Sequence, residues 1–305
     1  MTSQVIRKDS VGKLLILGIQ HVFAMFGATV LVPALTGLSP STALLCAGLG
    51  TLLFHFITGR KVPVYLGSSF AFIAAIQAVA TQYSNGAAVG SVEYFQNGLP
   101  YATGGVVVAG ALYVVLALLV RVFGADKIRS FFPPVVTGPM IVIIGMMLAP
   151  TAVTNITTPI GDLSTNWNWL IAVVTIATII GITLWAKGIF KLVPILFGIF
   201  VGYAFSALLT ACGITIVNFT PVREASFFQM PELFLPKFSL GAIVMIAPIA
   251  IVTFVEHIGD ITANGAVVGK DFVKDPGLDR TLLGDGLATM LAGFLGGPTN
   301  TTYGE

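Results

Sequence analysis

Pro298-Thr-Asn-Thr-Thr-Tyr-Gly-Glu305 has a counterpart in Pro63-Val-Tyr-Leu-Gly-Ser-Ser-Phe70, and this pair of segments decides the fold. Each opens on proline and carries a glycine near its end. Between them they hold Val64, Tyr65, Thr299, Thr301, Thr302 and Tyr303, β-branched or aromatic residues that favour an extended backbone over a helix. Each also follows a polar pair at nearly the same distance. Gln20-His21 stands 43 residues before Pro63, counted from Gln20, and Glu256-His257 stands 42 residues before Pro298, counted from Glu256. A second reading of the two segments, as ordinary Gly/Pro-kinked helices, stays open on their residues alone.

The surroundings are those of a membrane protein. The 15 Lys/Arg and 13 Asp/Glu make up 9% of 305 residues, whereas a soluble domain carries roughly 25%. With 56% hydrophobic residues and a mean hydropathy of +0.95, one soluble core could not hide the apolar surface, and disorder is excluded by the same figures. A net charge of +2 implies no nucleic-acid partner, and Cys46 and Cys212 alone make no disulfide framework or metal site. A bilayer core of about 30 Å needs roughly 20 apolar helical residues. Long intervals without Asp, Glu, Lys or Arg predict spans over about 14–35, 41–57, 64–81, 103–120, 133–150, 169–186, 192–212, 239–261 and 281–295, with a tenth opening at Pro298. The basic stretch before Leu14 lacks a small-residue cleavage site, so the first span reads as retained.

Seven spans separate the two proline-led segments. Seven is odd, so the second copy enters the membrane from the opposite side, as in the inverted repeats of secondary transporters. Extended backbone at membrane depth survives only where protein or a ligand-lined cavity encloses it. Two such stretches meeting from opposite faces therefore predict a binding site at the midplane.

Few ionisable residues fall within the spans: His21, His55, Glu256, His257, Asp260, Asp285 and Glu305. A charge near the bilayer centre costs at least about 2.5 kcal/mol, so each needs a partner or a function. Glu256 and Asp260 are four apart on one helical face. Two carboxylates so placed repel, and burial disfavours their charged forms, so one of them is expected to carry a proton at neutral pH. Packing alone, with each carboxylate tied to backbone or hydroxyl groups, is the other reading. Asp285 is expected near the start of its helix, stabilised by the dipole. His55, beside Arg60-Lys61, reads as interfacial, while His257 could be structural or functional. No nucleophile with its base, P-loop or His-rich metal cluster is visible, so neither an enzyme nor a metal protein is expected.

Gln20-His21-Val-Phe-Ala-Met-Phe-Gly-Ala-Thr-Val-Leu-Val-Pro33, Gly67-Ser-Ser-Phe-Ala-Phe72, Glu256-His-Ile-Gly-Asp260 and Asn300-Thr-Thr-Tyr-Gly-Glu305 together resemble the nucleobase:cation symporters of the uracil/xanthine permease family, above all its bacterial uracil permeases. The resemblance runs the length of the chain. It implies an all-α polytopic membrane protein of fourteen spans in two inverted repeats of seven, with short strands in spans 3 and 10. Residues 1–125 would be the core domain, 126–238 the gate domain, and 239–305 the core continued. The chain would then stop within span 10, as a fragment that need not transport by itself.

The resemblance also implies roles. Glu256 and Glu305 match the carboxylates that bond the nucleobase, and Phe70 and Gly304 match positions whose backbone N–H groups meet its carbonyls. Ala28, Ser69 and Tyr303 would line the pocket. His21 would support it, and Glu256, Asp260, His21 and Glu305 would take part in proton coupling. Asp260 departs from the uracil pattern, which has His there, toward the purine branch; Glu305 is the uracil-type residue. The implied activity is import of uracil with a proton across the inner membrane, by movement of the core against the gate. A purine or xanthine substrate, sodium as coupling ion, and assembly as a homodimer are alternatives or additions the family admits. No cofactor is implied.

Along an alternating path, 13 of the 15 basic residues fall on the side of the N-terminus and only Arg223 and Lys237 on the other, which makes the N-terminal side cytoplasmic. Lys270→Cys, with Cys46 and Cys212 replaced by serine, is therefore expected to react with a membrane-impermeant maleimide in inside-out vesicles and not in intact cells. The reverse labelling would invert the topology.

Overall fold

The structure is a computed structural model that describes residues 11–125, 127, 134–160, 163–187, 194–224 and 230–303. It is helical, with a helix or proline-led segment at every predicted span. α1 (Val11–Thr36) and α2 (Pro40–Ile57) meet at the predicted Gly37–Pro40 turn, where Gly37 has φ 75°. Then come β1 (Leu66–Ser68), a 3₁₀ turn (Phe70–Phe72), α3 (Ile73–Tyr83) and α4 (Leu99–Phe123). They are followed by α5 (Pro134–Thr157), α6 (Asn166–Trp185), α7 (Pro194–Ala211) and the short α8 (Thr220–Glu224). α9 (Leu240–Ile246), α10 (Ile249–Val268), α11 (Leu278–Phe294) and β2 (Asn300–Thr302) complete the order.

Two spans differ from expectation. The eighth, predicted over 239–261, is two helices interrupted at Ala247-Pro248, because proline has no N–H to continue the ladder. Its second part runs on to Val268, since Asp260 and the polar residues after it stay helical until Gly269 caps the end in the left-handed conformation. The ninth begins a turn earlier than predicted, at Leu278.

The chain divides into two compact units, residues 1–27 with 154–225, and residues 28–153 with 226–305. In the first, α6 packs on α7, with Gly202 against the Thr175 side chain. In the second, α11 lies between α2 and α4. α2 shows why the solvent is lipid. Thr42, Ala43, Cys46, Ala47, Gly50 and Phe54 form its buried face, yet the opposite face is also apolar, with Leu52 69% and Phe56 82% exposed. A helix apolar all round belongs in a bilayer. Among the described residues, four helical segments are long and apolar enough to cross one: 40–57, 94–123, 166–185 and 240–268.

Helix association in lipid relies on close packing through small residues rather than on the hydrophobic effect. The α4–α11 contact is built that way. A Cβ on Gly110 would stand 2.8 Å from the Gly286 carbonyl oxygen, and one on Gly286 would stand 2.9 Å from that of Gly110. Gly286→Leu should therefore destabilise the protein by about 1–3 kcal/mol, the usual cost of overpacking, seen as a lower Tm in detergent. Gly48→Ala, where the new methyl meets nothing within 4 Å, should leave the Tm unchanged.

Candidate functional site

β1 and β2 pair antiparallel, with Leu66 opposite Thr302, Gly67 opposite Thr301 and Ser68 opposite Asn300. The Ser69 N–H bonds the Thr299 carbonyl at 3.0 Å and the Tyr303 N–H bonds that of Tyr65 at 3.2 Å, so the ladder extends past both strands. All six strand residues are buried. The helices around them supply what a two-stranded ribbon lacks at its edges. Leu66 N–H donates to Thr51 Oγ1 at 3.0 Å, and the Thr51 hydroxyl in turn donates to Ala47 O at 2.7 Å. Thr289 Oγ1 donates to Asn300 O at 2.9 Å. The Asn300 side-chain amide reaches Cys46 O on α2 at 3.2 Å and Ala288 O on α11 at 3.3 Å, which ties β2 to both helices.

Tyr303 makes three further contacts. Its hydroxyl donates to Ser68 O at 3.1 Å and lies 3.5 Å from Thr29 Oγ1, beside Ala28, while Asn264 Nδ2 donates to its carbonyl at 3.1 Å. Its ring covers Gly67 so closely that any Cβ there would overlap it. The extended segments predicted from proline and β-branched content are thus real; Ser69 pairs with Thr299, and Tyr303 pairs with Tyr65 while its hydroxyl reaches Ser68.

α10 packs against β2 and touches the Phe70–Phe72 turn. Glu256 on this helix is largely buried, with Oε2 lacking a hydrogen-bond partner among the described residues, and it stands within electrostatic reach of Asp285. Asp260 is partly buried one turn on. His257 is wholly buried. Its Nε2 lies 3.0 Å from Thr281 Oγ1, and its Nδ1 lies 3.1 Å from Thr302 Oγ1 and 3.2 Å from Asp285 Oδ2. This corrects the expectation for Asp285. It is the eighth residue of α11 rather than a first-turn residue, fully buried against His257, because the helix starts earlier than its charge pattern suggests. Gly304, Glu305 and the side chain of His21 lie outside the described residues.

No hydrogen-bonding role at the site is expected from the sequence for Asn264, Asn300, Thr302, Thr281 or Thr29. A signal existed for Asn264, which continues the four-residue spacing of Glu256 and Asp260. None existed for Thr29, whose role depends on a residue 274 positions away. Ser68 Oγ, Ser69 Oγ, Thr299 Oγ1 and Thr301 Oγ1 are buried without a partner among the described residues.

A profile of the permease family that includes the xanthine and uracil permeases matches residues 12–305. The chain belongs to this family. The permease is 46% identical over 308 residues to a probable uracil permease of Pasteurella multocida, covering 100% of this chain and 69% of the relative. It is 47% identical over 288 residues to a probable uracil permease of Haemophilus influenzae, covering 94% and 65%. Identity to the uracil permease of Bacillus caldolyticus is 42% over 306 residues, covering 98% and 66%. The chain thus spans about two thirds of the length of these relatives. Family and apolar helices together make it a multi-pass membrane transport protein and not an enzyme.

The Gly67–Tyr303 contact can be tested by a double-mutant cycle. Gly67→Ala should cost about 1–3 kcal/mol through overlap with the ring. In Gly67→Ala/Tyr303→Ala the loss should fall short of the sum of the single losses by at least about 0.5 kcal/mol. Additive losses in Tm would show that the two residues do not touch.

Proposed function

We propose that the complete protein imports a nucleobase, uracil, across the inner membrane in symport with a proton, with its N-terminus cytoplasmic. The observation that carries this reading is the buried β1–β2 pair packed against α2, α10 and α11, with a glutamate on α10 whose Oε2 lacks a hydrogen-bond partner among the described residues. Leaving such a group unsatisfied costs roughly 1–3 kcal/mol, so a site that keeps one is built to bind. Uracil suits it. Its flat edge alternates N–H donors with C=O acceptors, which Glu256 and Glu305 complement as acceptors and the backbone N–H groups of Phe70 and Gly304 as donors. Ala28, Ser69 and Tyr303 line the same pocket and His21 supports it. The relatives' names, uracil permease or probable uracil permease, support the same substrate.

Residues 1–125 and 239–305 act in this reading as a core that carries the substrate past a gate formed by 126–238. The antiparallel β1–β2 pairing supports a seven-plus-seven inverted repeat, since segments entering from opposite faces meet head to tail. Glu256 and Asp260 offer a carboxylate pair for the coupling proton, with Glu305 and His21 as further members. Asp260 favours a second reading, a purine or xanthine substrate. Sodium is the alternative coupling ion, and a homodimer the assembly the family suggests.

Uptake of labelled uracil into proteoliposomes of the complete protein, under an imposed pH gradient, tests both parts. Glu256→Gln should lower uptake by about 10- to 100-fold, the equivalent of one hydrogen bond to a charged group. Uptake indifferent to that substitution or to collapse of the gradient would end the mechanism. Competition by excess xanthine but not uracil would move the substrate to the second reading.

A further inference from the structure

The contacts of His257 fix more than its orientation. Thr281 Oγ1 donates its hydrogen to Leu278 O at 3.1 Å, so toward Nε2, 3.0 Å away, it offers a lone pair. Nε2 must therefore carry a hydrogen. On the other side of the ring, Nδ1 faces two oxygens, Thr302 Oγ1 at 3.1 Å and Asp285 Oδ2 at 3.2 Å. A bare Nδ1 has one lone pair in the ring plane, and it would meet a carboxylate lone pair in a site closed to water. A hydrogen on Nδ1 removes the conflict, and Asp285 Oδ2, which lacks a hydrogen-bond partner among the described residues, then faces a positive ring at ion-pair distance. A protonated Asp285 would instead compete with the Thr302 hydroxyl for a single lone pair.

We propose that His257 is an imidazolium paired with the Asp285 carboxylate, and that this ion pair positions Thr302, and with it strand β2, beside the substrate. The pair joins three elements: α10 through His257, α11 through Thr281 and Asp285 one turn apart on one face, and β2 through Thr302. Next along the same strand stands Tyr303, so a shift of β2 would carry Tyr303 away from Ser68 and Asn264. The ionisable groups that face the pair are Tyr113 on α4 and Glu256 and Asp260 on α10, all of which interact electrostatically with Asp285 or with one another. With His257 positive and Asp285 negative, the pair is neutral as a unit. A neutral unit can be buried where a lone charge could not, and removing one partner leaves the other uncompensated. His257 and Asp285 are thus positioning residues, distinct from Glu256, the adjacent residue on the helix, whose Oε2 lacks a hydrogen-bond partner among the described residues.

This inference rests on the nucleobase-binding reading only for its binding arm. The chain holds three histidines, so the complete protein carrying His21→Gln and His55→Gln, labelled with ¹⁵N-histidine, isolates His257 as the only histidine of these 305 residues. Its two ring nitrogens should both give the resonances of protonated nitrogens near neutral pH. Asp285→Asn added to that protein should convert Nδ1 to the signature of an unprotonated ring nitrogen. In the wild-type background, Asp285→Asn should weaken uracil binding at least tenfold while the protein keeps its helical circular dichroism. An unprotonated ring nitrogen with Asp285 intact would overturn the proposal, as would a folded Asp285→Asn protein that binds uracil as the wild type does. A wild-type protein that binds no uracil would count against the substrate, and the nitrogen resonances would still decide the ion pair.

Discussion

The hydrogen-bonded pairing of β1 with β2 is the constraint on which the rest of this permease depends. Inside a bilayer every backbone N–H and C=O must find a protein partner, and a helix does so within itself whereas three extended residues cannot. Leu66–Ser68 and Asn300–Thr302 solve the problem jointly, each serving as the other's ladder. A two-stranded ribbon still has two open edges. Thr51, Thr289 and Asn300, all side chains that reach across from or to a helix, close part of them. The positions of α2 and α11 follow from this duty as much as from apolar packing.

The helices around the ribbon carry two kinds of surface. The exposed face of α2 is apolar, as Leu52 and Phe56 illustrate. Toward the ribbon the helices carry a sparse polar row at four-residue spacing, Glu256, Asp260 and Asn264 on α10, and Thr281 and Asp285 on α11. The close Gly110–Gly286 crossing holds α11 against α4 without side chains between them, so the polar row on α11 has a fixed place to stand. Rigid backbone contact on one side of the helix and hydrogen-bonding side chains on the other are complementary parts of one arrangement.

The spans were legible because membrane helices announce themselves by what they lack. A charged residue every few positions marks each turn, and its absence over about 20 marks each crossing. The extended segments were legible as well, through proline, β-branched residues and a repeat spacing that differed by one residue. Register was not. Strands of three residues have no periodicity to read, so nothing in Leu66-Gly67-Ser68 names Asn300 as the residue opposite Ser68. Nor could the sequence show that Tyr303 needs a glycine at position 67, or that Asp285 answers His257 from 28 positions away. Asp285 was misplaced for a simple reason. The apolar pattern suggests a helix from Thr281, whereas Asp279 and Arg280 already lie in its first turn. Glu256 was the reverse case, a residue whose burial could be anticipated because a carboxylate in a span has few places to go.

The pairing of β1 with β2 also has a meaning in time. Tyr303 and Ser68 are 235 positions apart. At about 5–20 residues per second of synthesis, β1 leaves the ribosome roughly 10–50 s before its partner exists. Throughout that interval its backbone amides lie in a nascent membrane protein with no ladder to join. The segment must wait as helix, in the insertion machinery, or hydrated at the interface, and convert only when residues 300–303 arrive. The last step in making this pair is therefore a conversion of already inserted chain, and the ribbon matures later than the helices that precede β2.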